Sequence, residues 1–82
     1  MSKYDPLEGH LRRQKVANYE MTFRDIERVL GALLPRAAYR AEWWTNEGGA
    51  VARAVHSTAW LRAVYRAIPD VSSEKVHFER SS

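Results

Sequence analysis

TFRDIERVLGALLPRAAYRAEWW, residues 22–44, decides how the chain folds. Phe23, Ile26, Val29 and Leu30 recur at i, i+3, i+6 and i+7, which places them on one face of a helix. Arg24, Asp25, Glu27 and Arg28 occupy the other side. Thr22 is a good N-cap, and Asp25 stands where the acidic member of a capping box belongs, with a shorter reach than glutamate. Gly31 can end the helix in a left-handed cap. Leu33 and Leu34 are expected to be buried. Pro35 opens a second helix, expected from about Arg36 to Trp44, in which Ala37 and Ala38 allow close approach to a neighbour. Helix, glycine turn and helix in this order have helix-turn-helix spacing, although GALLP is about a residue longer than the tightest turns.

Working outward, DPLEGHLRRQK reads as an earlier helix. Asp5 can cap it, Pro6 suits its first position, and Leu7 and Leu11 form its stripe. VANYEMTF lacks a helical stripe and reads as a loop with a short extended segment near Tyr19 to Met21. Beyond the opening stretch, TNEGG is a turn. AVARAVHSTAWLRA predicts a helix from about Ala50 to His56, with Arg62 as its far limit; HSTAW suits a helix interior poorly, so an extended alternative stays open for 50–62. Val76 and Phe78 alternate with His77 and Glu79, the pattern of a half-buried strand. Val64 to Ile68 is its partner, and Pro69 makes that partner an edge strand or ends it early. The expected class is α+β and winged-helix-like: three to four short helices followed by a C-terminal β-hairpin. One small domain is expected over 1–82, with its core from about 5 to 80 and loose termini.

The chain has 82 residues, 13 Lys and Arg against 10 Asp and Glu, and no cysteine. Disulfides and thiolate zinc sites are thereby excluded as its staple. No N-terminal apolar segment and no membrane-length apolar run is present, so a cytoplasmic protein without a membrane partner is expected. From Arg28 to Arg66 there are six arginines, at 28, 36, 40, 53, 62 and 66, but only two acids, Glu42 and Glu47. This basic middle favours an anionic partner. A solvated arginine-rich face accounts for it equally well.

Trp43 and Trp44 are adjacent, so a small core is not expected to bury both. One ring should close the core against Leu30, Leu34 and Trp60. The other should form a half-buried lid under the TNEGG loop or face a partner, and which does which is left open.

YDPL at Tyr4–Leu7, TFRDIERVLG with LP at 34–35, WWTN at 43–46, AWL at 59–61 and VHFER at 76–80 together resemble a family of small bacterial domains of unknown function. That family's blocks read YDPL, TFxEIExxLGxxLP, WWxN, AWL and VxFxR. The resemblance spans nearly the whole chain and implies no established activity; it implies a domain that occurs alone or beside nuclease-like modules, which points toward work on DNA. Two departures stand out. EGGAVARAVHST is longer than the histidine-containing stretch the resemblance expects between WWxN and AWL. Val64-Tyr65 replaces a glycine-tryptophan pair, which removes an expected helix cap.

No enzyme is expected. There is no cysteine nucleophile, and all serines but Ser57 lie in termini or the expected hairpin turn. His10, His56 and His77 fall in three different elements without metal-ligand spacing. Neither a catalytic residue, a metal nor a cofactor is therefore assigned. The expected function is a DNA-binding module with a regulatory or targeting role. Arg36, Tyr39 and Arg40 would project from the second helix, Trp44 and Asn46 would lie beside it, and Lys75 at the hairpin tip would act as a wing. Arginine can read guanine or hold phosphate. The alternative is a protein-interaction module or inhibitor that binds an acidic partner through an exposed tryptophan and the arginines. Oligomeric state is open, with a homodimer among the options.

Overall fold

The structure is a computed structural model that describes residues 3–44 and 55–81; Asn46 and the expected helical turn at 50–54 lie outside the described residues. Helix α1 runs Asp5–Arg12 and buries Leu7 and Leu11. Its N-cap is Tyr4, without a side-chain cap, so Asp5 begins the helix rather than capping it. Strand β1 follows at Asn18–Thr22, and helix α2 at Phe23–Leu30.

The α2 start is a complete capping box. Asp25 N–H donates to Thr22 Oγ1 at 3.0 Å, and Thr22 N–H donates to Asp25 Oδ2 at 3.2 Å. These two bonds satisfy main-chain donors that a helix start would leave without partners. They also hold the Asp25 carboxyl below its ordinary pKa. Gly31 closes the helix at φ 71°, and its N–H bonds to the Glu27 carbonyl. Phe23 and Ile26 are fully buried, whereas Val29 and Leu30 are half-buried at the margin of the core.

The expected helix at 36–44 is not an α-helix. Residues Arg36–Tyr39 and Ala41–Trp43 form two 3-10 turns, and Arg40 between them is extended at φ −115° and ψ 136°. Alanine-rich composition favoured a helix, but packing overrides propensity here. The buried positions are Ala38 and Trp44, which would lie about 120° apart around a continuous α-helix. The break at Arg40 turns Trp44 inward, where its Nε1–H donates to the Ala38 carbonyl at 2.8 Å. Leu33 also departs from expectation. It is 80% exposed, while its neighbour Leu34 is buried and held by its N–H on Glu27 Oε2 at 2.9 Å.

Helix α3 is described over Val55–Arg62 and reaches the expected far limit; the expected start near Ala50 lies outside the described residues. It leads through Ala63 and Val64 into β2 at Tyr65–Asp70, a 3-10 turn at Val71–Ser73 and β3 at Lys75–Arg80. The three strands form one antiparallel sheet in the order β1-β3-β2. The extended segment near Tyr19 is thus a paired strand, with Tyr19 opposite Phe78 and Met21 opposite Val76. Strand β2 is the expected edge strand, and Pro69 lies within it. Ser81 N–H donates to the Val64 carbonyl at 2.9 Å, so alternate residues from 64 turn their main-chain groups toward β3. Pro69 is out of that phase and turns its nitrogen away, so it removes no ladder bond.

One face of the sheet carries Met21, Tyr65, Ala67, Val76 and Phe78 into the core. The helices cover that face. Trp60 of α3 is fully buried near the middle, 5.3 Å from the Trp44 ring and 6.3 Å from Phe78. Among the described residues the architecture is α+β, three α-helices on a three-stranded sheet. No helix among the described residues is long and apolar enough to cross a membrane.

Candidate functional site

The segment after α2 is where the predicted contact residues meet. Arg36, Ala37, Tyr39 and Arg40 line one open groove of about 480 Å³. Both arginines are exposed, and Tyr39 is 47% exposed. Among the described residues no carboxylate lines the groove and neither arginine forms an ion pair. Two cationic side chains thus share one groove with an alanine and a tyrosine.

Its scaffold is aromatic. The Tyr39 ring meets Phe23 edge to face at 5.1 Å and 78°. Phe23, the first residue of α2, stacks on Trp44 at 5.5 Å and 29°. Trp44 is in turn fixed by its bond to the Ala38 carbonyl, one residue before Tyr39. The capping box that starts α2 thus also positions the ring against which Tyr39 rests.

The other predicted contact residues fall elsewhere. Trp44 is 2% exposed and is a core residue, so it offers no surface to a partner. Trp43 is the half-buried ring of the pair. Lys75 is not at the hairpin tip but is the first residue of β3, half-buried, with Nζ 3.7 Å from the Glu20 carboxylate. The tip is formed by Val71–Ser73 and Glu74, the latter at φ 51°. It packs back on α2 through Phe23 N–H, which donates to the Glu74 carbonyl at 2.8 Å.

Two polar features escaped the sequence reading because each joins residues distant in the chain. A cleft of about 370 Å³ lies between α1, β1 and α2, lined by His10, Tyr19, Met21, Asp25, Arg28 and Val29. There His10 Nε2 and the Tyr19 hydroxyl share a hydrogen bond of 2.9 Å. Partial burial, with the positive charge of Arg13 adding to it, pulls the His10 imidazole below its ordinary pKa, and Asp25 opposes this. The second is His56 of α3. Its Nε2–H donates to the Trp43 carbonyl at 2.8 Å, and its ring stacks on the Trp43 indole. Among the described residues no three His, Asp or Glu side chains converge in a way that could hold a metal ion.

A family model, described as Domain of unknown function (DUF7662), matches residues 4–82. No curated protein and no solved structure matches the chain. The chain belongs to that family of domains of unknown function.

Proposed function

We propose that this chain is a non-enzymatic DNA-binding module whose contact surface is the groove formed by Arg36, Ala37, Tyr39 and Arg40. The observation that carries the reading is two exposed arginines, without acidic partners among the described residues, lining one groove. Guanidinium groups left unpaired in this way are available to phosphate oxygens, which they can hold with two parallel bonds.

The connectivity lends further support. Strand β1 lies between the first two helices and pairs with the last strand of a C-terminal hairpin, as in winged-helix domains. That support is an analogy of fold. One departure matters for mechanism: residues 36–44 do not form the α-helix that would enter a major groove. Backbone phosphates, rather than base edges read by a helix, are therefore the partners assigned to Arg36 and Arg40. The other reading is an acidic protein partner. It would rest on Leu33, 80% exposed three residues before Arg36, since Trp44 is buried and Trp43 half-buried.

The test is a titration against duplex and single-stranded DNA of random sequence at several salt concentrations. Log affinity should fall linearly with log salt. Arg36→Gln and Arg40→Gln should each reduce the slope by about 1. Absence of binding at low salt, where the electrostatic term is strongest, ends the reading and leaves the acidic protein partner.

A further inference from the structure

From the same groove we infer that the strand it takes is unpaired, with Tyr39 as a stacking platform for a base and Arg36 and Arg40 as holders of the flanking phosphates. The inference rests on the nucleic-acid reading above and names the form of nucleic acid.

Three observations carry it. The first is the shape of the segment. Reading a duplex by its major groove takes an element that fills a channel about 12 Å wide with three or four side chains in a row. Arg36–Tyr39 is a 3-10 turn of 4 residues that ends in the extended Arg40, and it cannot supply that row. The second is composition. Ala37 and the half-exposed Tyr39 line the same groove as the two arginines. A phosphate backbone alone requires no aromatic surface, whereas an exposed base has a π-face that gains from one, whatever its identity. The third is rigidity. Tyr39 is braced by Phe23, Phe23 by Trp44, and Trp44 by its hydrogen bond to Ala38. A ring already held in place at the surface loses little freedom when a base settles on it. In a duplex the bases are stacked on one another and offer no such face.

The experiment measures fluorescence anisotropy of the whole chain with three labelled probes of equal phosphate count per strand. They are a single-stranded oligodeoxyadenylate, its duplex with oligothymidylate, and an abasic single strand with the same backbone. The base-bearing single strand should bind roughly tenfold or more tighter than the abasic strand, the scale of losing a stacked base. It should also bind more tightly than the duplex. Tyr39→Phe should keep these preferences. Tyr39→Leu, which keeps an apolar contact with Phe23 but has no π-face, should erase the preference over the abasic strand. Circular dichroism identifies any variant that fails to fold, and the comparison of the three probes on the unaltered chain stands without the variants. Equal binding of abasic and base-bearing strands, or tighter binding of the duplex, overturns the inference and leaves the DNA-binding reading in place. No binding of any probe at low salt removes both.

Discussion

The His56 imidazole lies flat on the Trp43 indole, with ring centroids 3.9 Å apart and planes 5° from parallel. The same imidazole donates to the Trp43 carbonyl, so ring and main chain of one residue are both held by one side chain. This clamps α3 to the second 3-10 turn, and Tyr4 meets both rings edge-on at 5.9 Å.

The clamp makes stability depend on pH. Burial pulls the His56 pKa below its ordinary value, and the bond to the Trp43 carbonyl raises it only in part. A histidine whose folded pKa is depressed binds fewer protons folded than unfolded. Stability is then fully present above the unfolded value of about 6.5 and is lost as pH falls below it toward the folded pKa. His10 shifts in the same direction. The urea midpoint should therefore fall between about pH 7 and pH 5.5. His56→Phe, which keeps a flat ring, should show a shallower fall, and combining it with His10→Asn should flatten it further. An unchanged pH dependence in the double variant would show that neither imidazole is its source.

Two positions with opposite side chains share one backbone region. Gly31 has φ 71°, and Val64 has φ 67°. Left-handed geometry costs an L-residue about 1–2 kcal/mol, and a β-branched side chain is a particular misfit there. Gly31→Ala should destabilise by about 1 kcal/mol, although a Cβ there would meet nothing within 4 Å, because the penalty is in the backbone. Val64→Gly should stabilise by roughly 0.5 kcal/mol, the relief of strain less the added freedom of glycine in the unfolded chain. Urea denaturation gives both signs.

Core substitutions should rank by depth rather than by place in the apolar stripe. Ile26→Ala removes a fully buried side chain and should cost about 2–5 kcal/mol. Leu30→Ala, at the half-buried margin, should cost clearly less. Trp44→Ala should cost about 3–5 kcal/mol, and Trp44→Phe should still destabilise because the Ala38 carbonyl loses its buried donor. Equal losses at Ile26 and Leu30 would contradict the arrangement.

Thr22→Ala tests the capping box and should cost about 1 kcal/mol. Since Phe23 follows directly and braces Tyr39, the same variant should also weaken nucleic-acid binding if α2 frays at its start. Thr22→Ser keeps the acceptor oxygen and should restore both. Chemical denaturation and the anisotropy titration read the two effects separately.

Helix α2 was legible because its signals are local: Thr22, Asp25, Gly31 and the stripe of Phe23 and Ile26 all lie within ten residues. Strand β3 was legible for the same reason, from Val76 and Phe78. The form of residues 36–44 was not, because it depends on where Trp44 finds its pocket, and that pocket is made by Phe23 and Trp60 from either side in the chain. Leu33 misled for a related reason. Outside a helix, neighbouring residues can point in opposite directions, and only Leu34 turns inward. Arg36, Tyr39 and Arg40, singled out by charge and spacing, line one groove. The His10–Tyr19 pair and the His56–Trp43 stack join residues far apart in sequence, and no periodicity foretells them.

The strand order has a consequence for how the molecule is made. The middle of the sheet is β3, the last of the three strands in the sequence. On the ribosome, β1 and β2 emerge before the one strand with which both pair. Until residues 75–80 have been synthesised neither has its ladder partner, and the apolar sides of Met21 and Ala67 lack the Val76 and Phe78 they face. Sheet formation is thus deferred until translation has passed residue 80. During that interval the nascent chain depends on its helices, or on a chaperone, to keep two unpaired strands from aggregating.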